Sequence, residues 1–175
     1  MFVLLIFLII GFIVTNLFGF VVHWALHKKE TKMFNQSHMA HHEKLYPPED
    51  FFSDVYREAG VDATPKFFII LALPMLLSVV LLWLVGVISL VICIIVILEM
   101  ISIGLIDNYL HDAFHIRNHW LCKVPIFNKW YNKLVKYHYL HHCDMNTNYG
   151  IFNFMWDKIF KRFWNKTDFE IPDKK

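Results

Sequence analysis

Three stretches of this chain, residues 2–22, 66–85 and 87–106, are each about 20 residues long and almost free of charge, enough to cross a hydrocarbon core of about 30 Å. Glu99 is the one acidic side chain inside them. With 57% hydrophobic residues and a mean hydropathy of +0.41, the chain is too apolar for a soluble domain of this size. In a bilayer the backbone must satisfy itself, which leaves helices as the spanning element. The expected fold is therefore all-α: an integral membrane protein with about three transmembrane spans. Gly86 is the expected turn between the second and third spans, and Pro74 is expected to kink the second. The first stretch lacks a basic leader and a small-residue cleavage site, so it reads as a retained anchor rather than a signal peptide.

All 17 Lys and Arg lie between Lys28 and Lys66 or after Ile106. The positive-inside rule then places the N-terminus and the Gly86 turn outside, with the charged segments in the cytoplasm. A single domain, residues 1–175, is expected, with segments 23–65 and 107–165 forming a cytoplasmic domain. The helix after the first span is expected to run to Met33, broken by Asn35-Gln-Ser, with a short helix over residues 38–45 ended by Tyr46-Pro47-Pro48. Residues 49–64 read as a polar re-entry segment, and residues 121–128 as a loop around Pro125. Residues 129–142 and 152–164 read equally as interfacial helices in the headgroup plane or as segments packed on the domain's own core, the first with Trp130, Leu134 and Tyr137 on one face and Lys129, Lys133 and Lys136 largely on another.

Ten of the eleven histidines fall into four boxes in these cytoplasmic segments. They are His23-Trp-Ala-Leu-His27, His38-Met-Ala-His41-His42, His111-Asp-Ala-Phe-His115 and His138-Tyr-Leu-His141-His142. Residues three or four apart share a helix face, so each box aims two or three imidazoles at one point. Imidazole is the commonest neutral nitrogen ligand for iron, zinc and copper. The set exceeds what a mononuclear zinc site uses, and two metals are the natural reading. Single histidines are ordinarily core or surface residues, but four boxes on one membrane face are not explained that way. Haem is disfavoured because the spans contain no histidine to serve as an axial ligand. A metal transporter needs ionisable groups along a mid-membrane path, where only Glu99 stands. A zincin needs His-Glu-x-x-His, and the run from His42-Glu43 reaches Tyr46 instead. What remains is a redox metal pair beside the bilayer, able to reduce dioxygen to an oxidant for an unactivated C–H bond.

The two His-x-x-x-His and two His-x-x-His-His boxes resemble the membrane fatty acid hydroxylase and sterol desaturase superfamily. The similarity is densest in Lys136-Tyr-His-Tyr-Leu-His-His142, Asn148-Tyr-Gly150 and Trp156-Asp157-Lys-Ile-Phe160, and it extends to His41-His42 followed by Tyr46-Pro-Pro48 and Asp50. The resemblance implies a non-haem di-iron oxygenase that hydroxylates or desaturates a lipid such as a fatty acyl chain or sterol. It also implies dioxygen as co-substrate and electrons from a separate cytochrome or ferredoxin partner. The ligands it implies are the box histidines, with His119 an eleventh ligand or an outer donor. Beta-carotene hydroxylases are comparably small, so a carotenoid ring hydroxylase is one alternative. A non-catalytic histidine-rich protein that stores or hands over zinc or copper is another.

Asp107, Asp112 and Asp144 adjoin boxes and are candidates to accept the free N–H of a ligating ring. Trp156 and Asp157 are expected to fix the C-terminal segment against the metal domain rather than touch substrate. Cys93, Cys122 and Cys143 form no Cys-x-x-Cys pair, and no disulfide framework is implied. The local excess of cations after Ile106 suits anionic headgroups, and no nucleic-acid module is visible.

Overall fold

A computed structural model describes residues 2–57, 64–166 and 171 of the chain. Helix α1 covers Phe2–Leu26, α3 covers Thr64–Leu84 and α4 covers Leu90–Ala113. Between α1 and α3 lies α2, Met33–Ala40, continued by one π-helical turn over His41–Leu45. After α4 come α5, Trp120–Lys123, α6, Pro125–Cys143, and α7, Met155–Ile159. Among the described residues the only β pairing is a single bridge between Ser53 and Ile116.

Among the described residues two helices, α1 and α4, are long and apolar enough to cross a bilayer. The expected span over residues 66–85 coincides with α3, whose described apolar stretch is Ala72–Leu84. Helix α3 continues through Pro74. The turn falls at Gly86, whose φ of 76° lies in the region glycine enters without steric cost. Ser89 then caps α4, its hydroxyl accepting the Ile92 amide at 3.3 Å. Phe2, Leu5, Ile9, Leu77, Leu81, Val91, Leu98 and Leu105 face outward from this bundle. Such a belt suits hydrocarbon and is far larger than the apolar patch a soluble surface carries.

Helix α1 ends at Leu26, short of the Met33 read from sequence. The cause is local hydrogen bonding. The Thr31 hydroxyl donates to the carbonyls of Lys28 and Ala25, at 2.7 and 3.2 Å, and Lys32 takes a φ of 51°. Asn35 does not break a helix either. It sits inside α2, and its side-chain amide donates to the Leu26 carbonyl at 2.9 Å, closing the end of α1. The chain therefore reverses within a few residues and brings α2 back against α1. The re-entry segment falls partly on residues 58–63, outside the described residues.

Beyond the bundle, a second core forms from Phe51, Leu110, Phe114, Tyr131, Leu134, Tyr137, Leu140 and Phe154. It selects, for residues 129–142, packing on the domain's own core over the interfacial reading. Leu134 and Tyr137 are buried in this core, while Trp130, on the same face about one turn earlier, is exposed. Helix α6 is a core helix whose exposed large hydrophobic residues, Ile126, Phe127 and Trp130, all lie in its first turns. It starts at Pro125, which suits the first helical turn because its missing N–H has no partner there anyway. The expected loop over residues 121–128 is thus largely helical. Of residues 152–164 only Met155–Ile159 is helical.

Candidate metal centre

The four boxes meet at the end of the bundle. Nine of their histidines form two groups: His23, His27, His38, His42 and His141 in one, and His41, His115, His138 and His142 in the other. Within each group the ligand nitrogens all lie within 4.8 Å of one another. The His-x-x-His-His boxes divide reciprocally between the two. His38 and His42 stand four apart on one helix face and serve the first group, while His41 crosses to the second. In the other box His138 and His142 serve the second group, and His141 crosses to the first. The first of these boxes runs into a π turn at His41–Leu45, a local irregularity that recurs at functional sites, whereas the second makes the same split in regular α-helix. The two groups touch where His42 and His142 face each other, with ring centroids 4.0 Å apart.

The backbone fixes the ring tautomers. The Nδ1 atoms of His23, His115, His141 and His142 lie 2.6, 3.0, 2.6 and 2.7 Å from the carbonyls of Tyr149, Phe51, Thr147 and Tyr46. A carbonyl only accepts, so each Nδ1 carries the proton and each Nε2 presents a bare lone pair. The Nε2 atoms are crowded. Separations are 3.1 Å for His27–His141, 3.0 Å for His27–His38 and 3.1 Å for His38–His42. In the second group they are 3.1 Å for His41–His115, 3.1 Å for His115–His138 and 3.3 Å for His138–His142. Hydrogen bonding cannot satisfy all of these. His138 has at most one Nε2 proton to offer, yet it faces bare nitrogens on both His115 and His142. A cation resolves the conflict. Metal–nitrogen bonds of about 2.0–2.1 Å put neighbouring ligand nitrogens roughly 3.0 Å apart at a right angle and roughly 3.4 Å apart at the tetrahedral angle. His23 adds a buried Nε2 without a partner beside the first group. The residues present fit two metal ions.

Burial keeps these rings neutral, as ligation requires. It pushes His27 down to about 4 and His142 to about 3, and holds His38, His41, His42, His115, His138 and His141 well below the ordinary imidazole range. Mutual repulsion between rings adds to the effect. The unfolded chain, with imidazoles near about 6.5, binds protons more readily than the folded one, so stability present at pH 7 is lost as pH falls below that value. Thermal unfolding at pH 7.5 and pH 5.5 checks this. The midpoint should fall at the lower pH, with bound metal released in parallel; a midpoint that stays level would contradict neutral buried rings.

His111 and His119 belong to neither group. His111 stands where the groups meet, its ring 4.7 Å from His41 and 4.8 Å from His138, and it lines a small cavity of about 40 Å³ with His23 and His38. His119 is placed away from the centre. Its Nε2 lies 3.1 Å from the Tyr109 hydroxyl and its ring stacks on Tyr131 at 5.4 Å, so it braces α5 against α4 and α6. Of the three aspartates, Asp112 reaches His111 Nδ1 at 3.4 Å, Asp144 accepts the Asn146 amide, and Asp107 lines the small cavity. Cys143 is an exposed free thiol.

The outer supports are mostly backbone carbonyls, which carry no residue signature in a sequence. Two of them explain nearby motifs. Tyr46 is fully buried, stacks on His115 at 3.9 Å and gives its carbonyl to His142. Asp157 is also fully buried and accepts the amides of Tyr149 and Gly150 at 2.6 and 2.9 Å, fixing the segment whose Tyr149 carbonyl holds His23. A Cβ on Gly150 would stand 2.2 Å from the Asn153 carbonyl oxygen, so only glycine fits this loop. Asn148, at φ 52°, clamps the same loop through Tyr137 and Trp164.

A helical bundle with an apolar belt and a double histidine site at one end defines a membrane protein built to hold metal. The chain belongs to the fatty acid hydroxylase family, which matches it over residues 8–162. Neither a curated protein nor a solved structure matches it significantly. Family membership makes the chain an oxidoreductase of the lipid-hydroxylating kind.

Proposed function

We propose that this chain is a membrane-bound non-haem di-iron oxygenase that hydroxylates or desaturates a lipid. It would use dioxygen and electrons from a donor protein of the cytochrome or ferredoxin kind. The observation that carries this reading is the pair of facing Nε2 groups, with four of their rings fixed by backbone carbonyls. His23, His27, His38, His42 and His141 would hold one metal, and His41, His115, His138 and His142 the other. His111 stands between them as a ligand available to either. Charge distribution supports a cytoplasmic location for this centre and an N-terminus outside.

When bound, two irons supply the activation of dioxygen that lets a C–H bond without an acidic proton be attacked. The chain's own residues do the rest. Carbonyls of Tyr46, Phe51, Thr147 and Tyr149 orient the rings and raise their donor strength. Tyr46, Phe51, Phe114 and Tyr149 are buried around the histidines and exclude water, which protects a strong oxidant from side reactions. The small cavity beside His23, His38 and His111 is where a substrate carbon reaches the site.

Oxygen uptake by the purified protein tests the proposal, measured with iron, a reducing system and a lipid extract. Lipid-dependent uptake with a hydroxylated or desaturated product in the extract is the expected result. Reversible zinc or copper exchange with no oxygen consumption would instead establish a metal carrier.

A further inference from the structure

The segment from Tyr149 to Phe160 leaves the metal centre and returns to it along the side of α1. It starts beside the last turns of that helix, where the Tyr149 ring meets Phe20 edge to face at 5.5 Å. It then turns down. Phe152 reaches Phe12, with ring centroids 6.2 Å apart, and the Trp156 indole donates to the Ile13 carbonyl at 3.2 Å. Helix α7 brings it back, and Phe160 stacks on Phe20 at 5.2 Å. From Phe20 down to Phe12 is about 12 Å along a helix that rises about 1.5 Å per residue. Helix α4 places this excursion against the bilayer. A Cβ on Gly11 would stand 2.6 Å from the Glu99 carboxylate and one on Gly19 3.4 Å from that of Asp107, so α1 and α4 run side by side in the same direction. The apolar run of α4 ends at Ile106, next to Asp107, which puts the histidine-side edge of the hydrocarbon near Gly19. Phe12 and Ile13 then lie about 10 Å inside it.

We propose that residues 149–160 form a re-entrant membrane segment, which dips from the histidine side into the hydrocarbon and returns, with phospholipid acyl chains packed on its outer face. A segment lying in the headgroup plane would meet α1 at one level, whereas this one meets it at two levels about 12 Å apart. Irregular backbone is tolerated at such depth only where its polar groups are paired inside the protein. Here the amides of Tyr149 and Gly150 donate to Asp157, that of Phe152 to Asp107, and that of Met155 to the Asn153 side chain. The outer face is apolar. Ile159 and Phe160 are 57% and 51% exposed, and on α1 the neighbours of the two contact points, Val14 and Val21, are exposed as well. Charge is placed to match. Lys161 and Arg162 are exposed just past Phe160, where the headgroups begin, and Lys158 reaches back toward them with its Nζ 5.0 Å over the Phe163 ring. The proposal rests on α1 and α4 spanning the bilayer and stands whether or not the chain consumes oxygen.

Photocrosslinking of the metal-loaded full chain in nanodiscs of phosphatidylcholine and phosphatidylglycerol tests this. The probe p-benzoylphenylalanine, which inserts into C–H bonds, replaces Ile159, Ile9 as the reference within α1, or Asn146 as the reference in an exposed polar loop. The probes at Ile159 and Ile9 should give phospholipid adducts in comparable yield, attached through the acyl chains, and the probe at Asn146 should give none above background. A probe at Ile159 that behaves like the one at Asn146, in protein that keeps its metal, would overturn the proposal. A second reading uses Trp156→Phe, which removes one indole. The emission lost with it should be quenched in nanodiscs of acyl-brominated lipid and shielded from iodide in the water. Quenching by iodide and not by bromine would overturn the proposal equally. Where the Ile159 variant does not hold metal, the Trp156 reading decides.

Discussion

Alanine at His42 or His142 lowers turnover more than about a hundredfold and removes metal from the protein, while insertion into the membrane is unchanged. These two rings face each other at the boundary between the groups, 4.0 Å apart, so each loss opens a gap next to both sites. Removing an outer support alone typically costs about 10–100-fold in affinity or activity, and removing a ligand costs more. Insertion is carried by the apolar helices, in which neither residue lies. His119→Ala is the control. That side chain is buried against Tyr109 and Tyr131, away from both groups, so its loss should cost roughly 1 kcal/mol of stability and leave the metal count intact. Metal analysis and activity on the three variants decide the matter. A dead His119 variant beside active His42 and His142 variants would overturn the assignment.

Asp157→Ala is expected to be the most damaging change outside the histidines. Its carboxylate accepts two amides inside the fold, those of Tyr149 and Gly150. Leaving both unpaired costs about 1–3 kcal/mol each, which lowers the unfolding midpoint by roughly 5–15 °C in a domain of this size. The effect reaches the metal centre because the freed segment carries the carbonyl that orients His23, 2.6 Å from its Nδ1. Metal should therefore be lost from the first group before the second. Asp157→Asn keeps one acceptor oxygen and turns an amino group toward the other amide, so about half of the loss is expected. Differential scanning calorimetry with metal analysis gives both readings; an Asp157→Ala protein with unchanged midpoint and metal content would contradict this role.

The helical bundle and the meeting of the boxes are legible in the sequence because they rest on patterns with a fixed physical period. Apolar length gives the helices α1 and α4, glycine gives the turn at Gly86, and spacing of three and four gathers the imidazoles. The allocation of each ring is not legible. Adjacent helical residues point about 100° apart, so His41 parts from His42 as His141 parts from His142, but which group each ring joins depends on how the helices pack. The early end of α1 is hidden for a similar reason. It depends on Thr31 and Asn35 side chains finding carbonyls of α1, which is known only once the chain has reversed. Three aspartates beside the boxes look like natural outer supports, yet the four ring-orienting acceptors are backbone carbonyls brought in from loops at residues 46–51 and 147–149. The amphipathic pattern of α6 is real, but it points Leu134 and Tyr137 into a protein core rather than into lipid.

Iron analysis of protein purified anaerobically from iron-replete cells tests the central claim most directly. Two buried groups of neutral imidazoles, each too crowded to be satisfied by hydrogen bonds, predict two irons per chain. One iron per chain, or none, would contradict the two-metal centre.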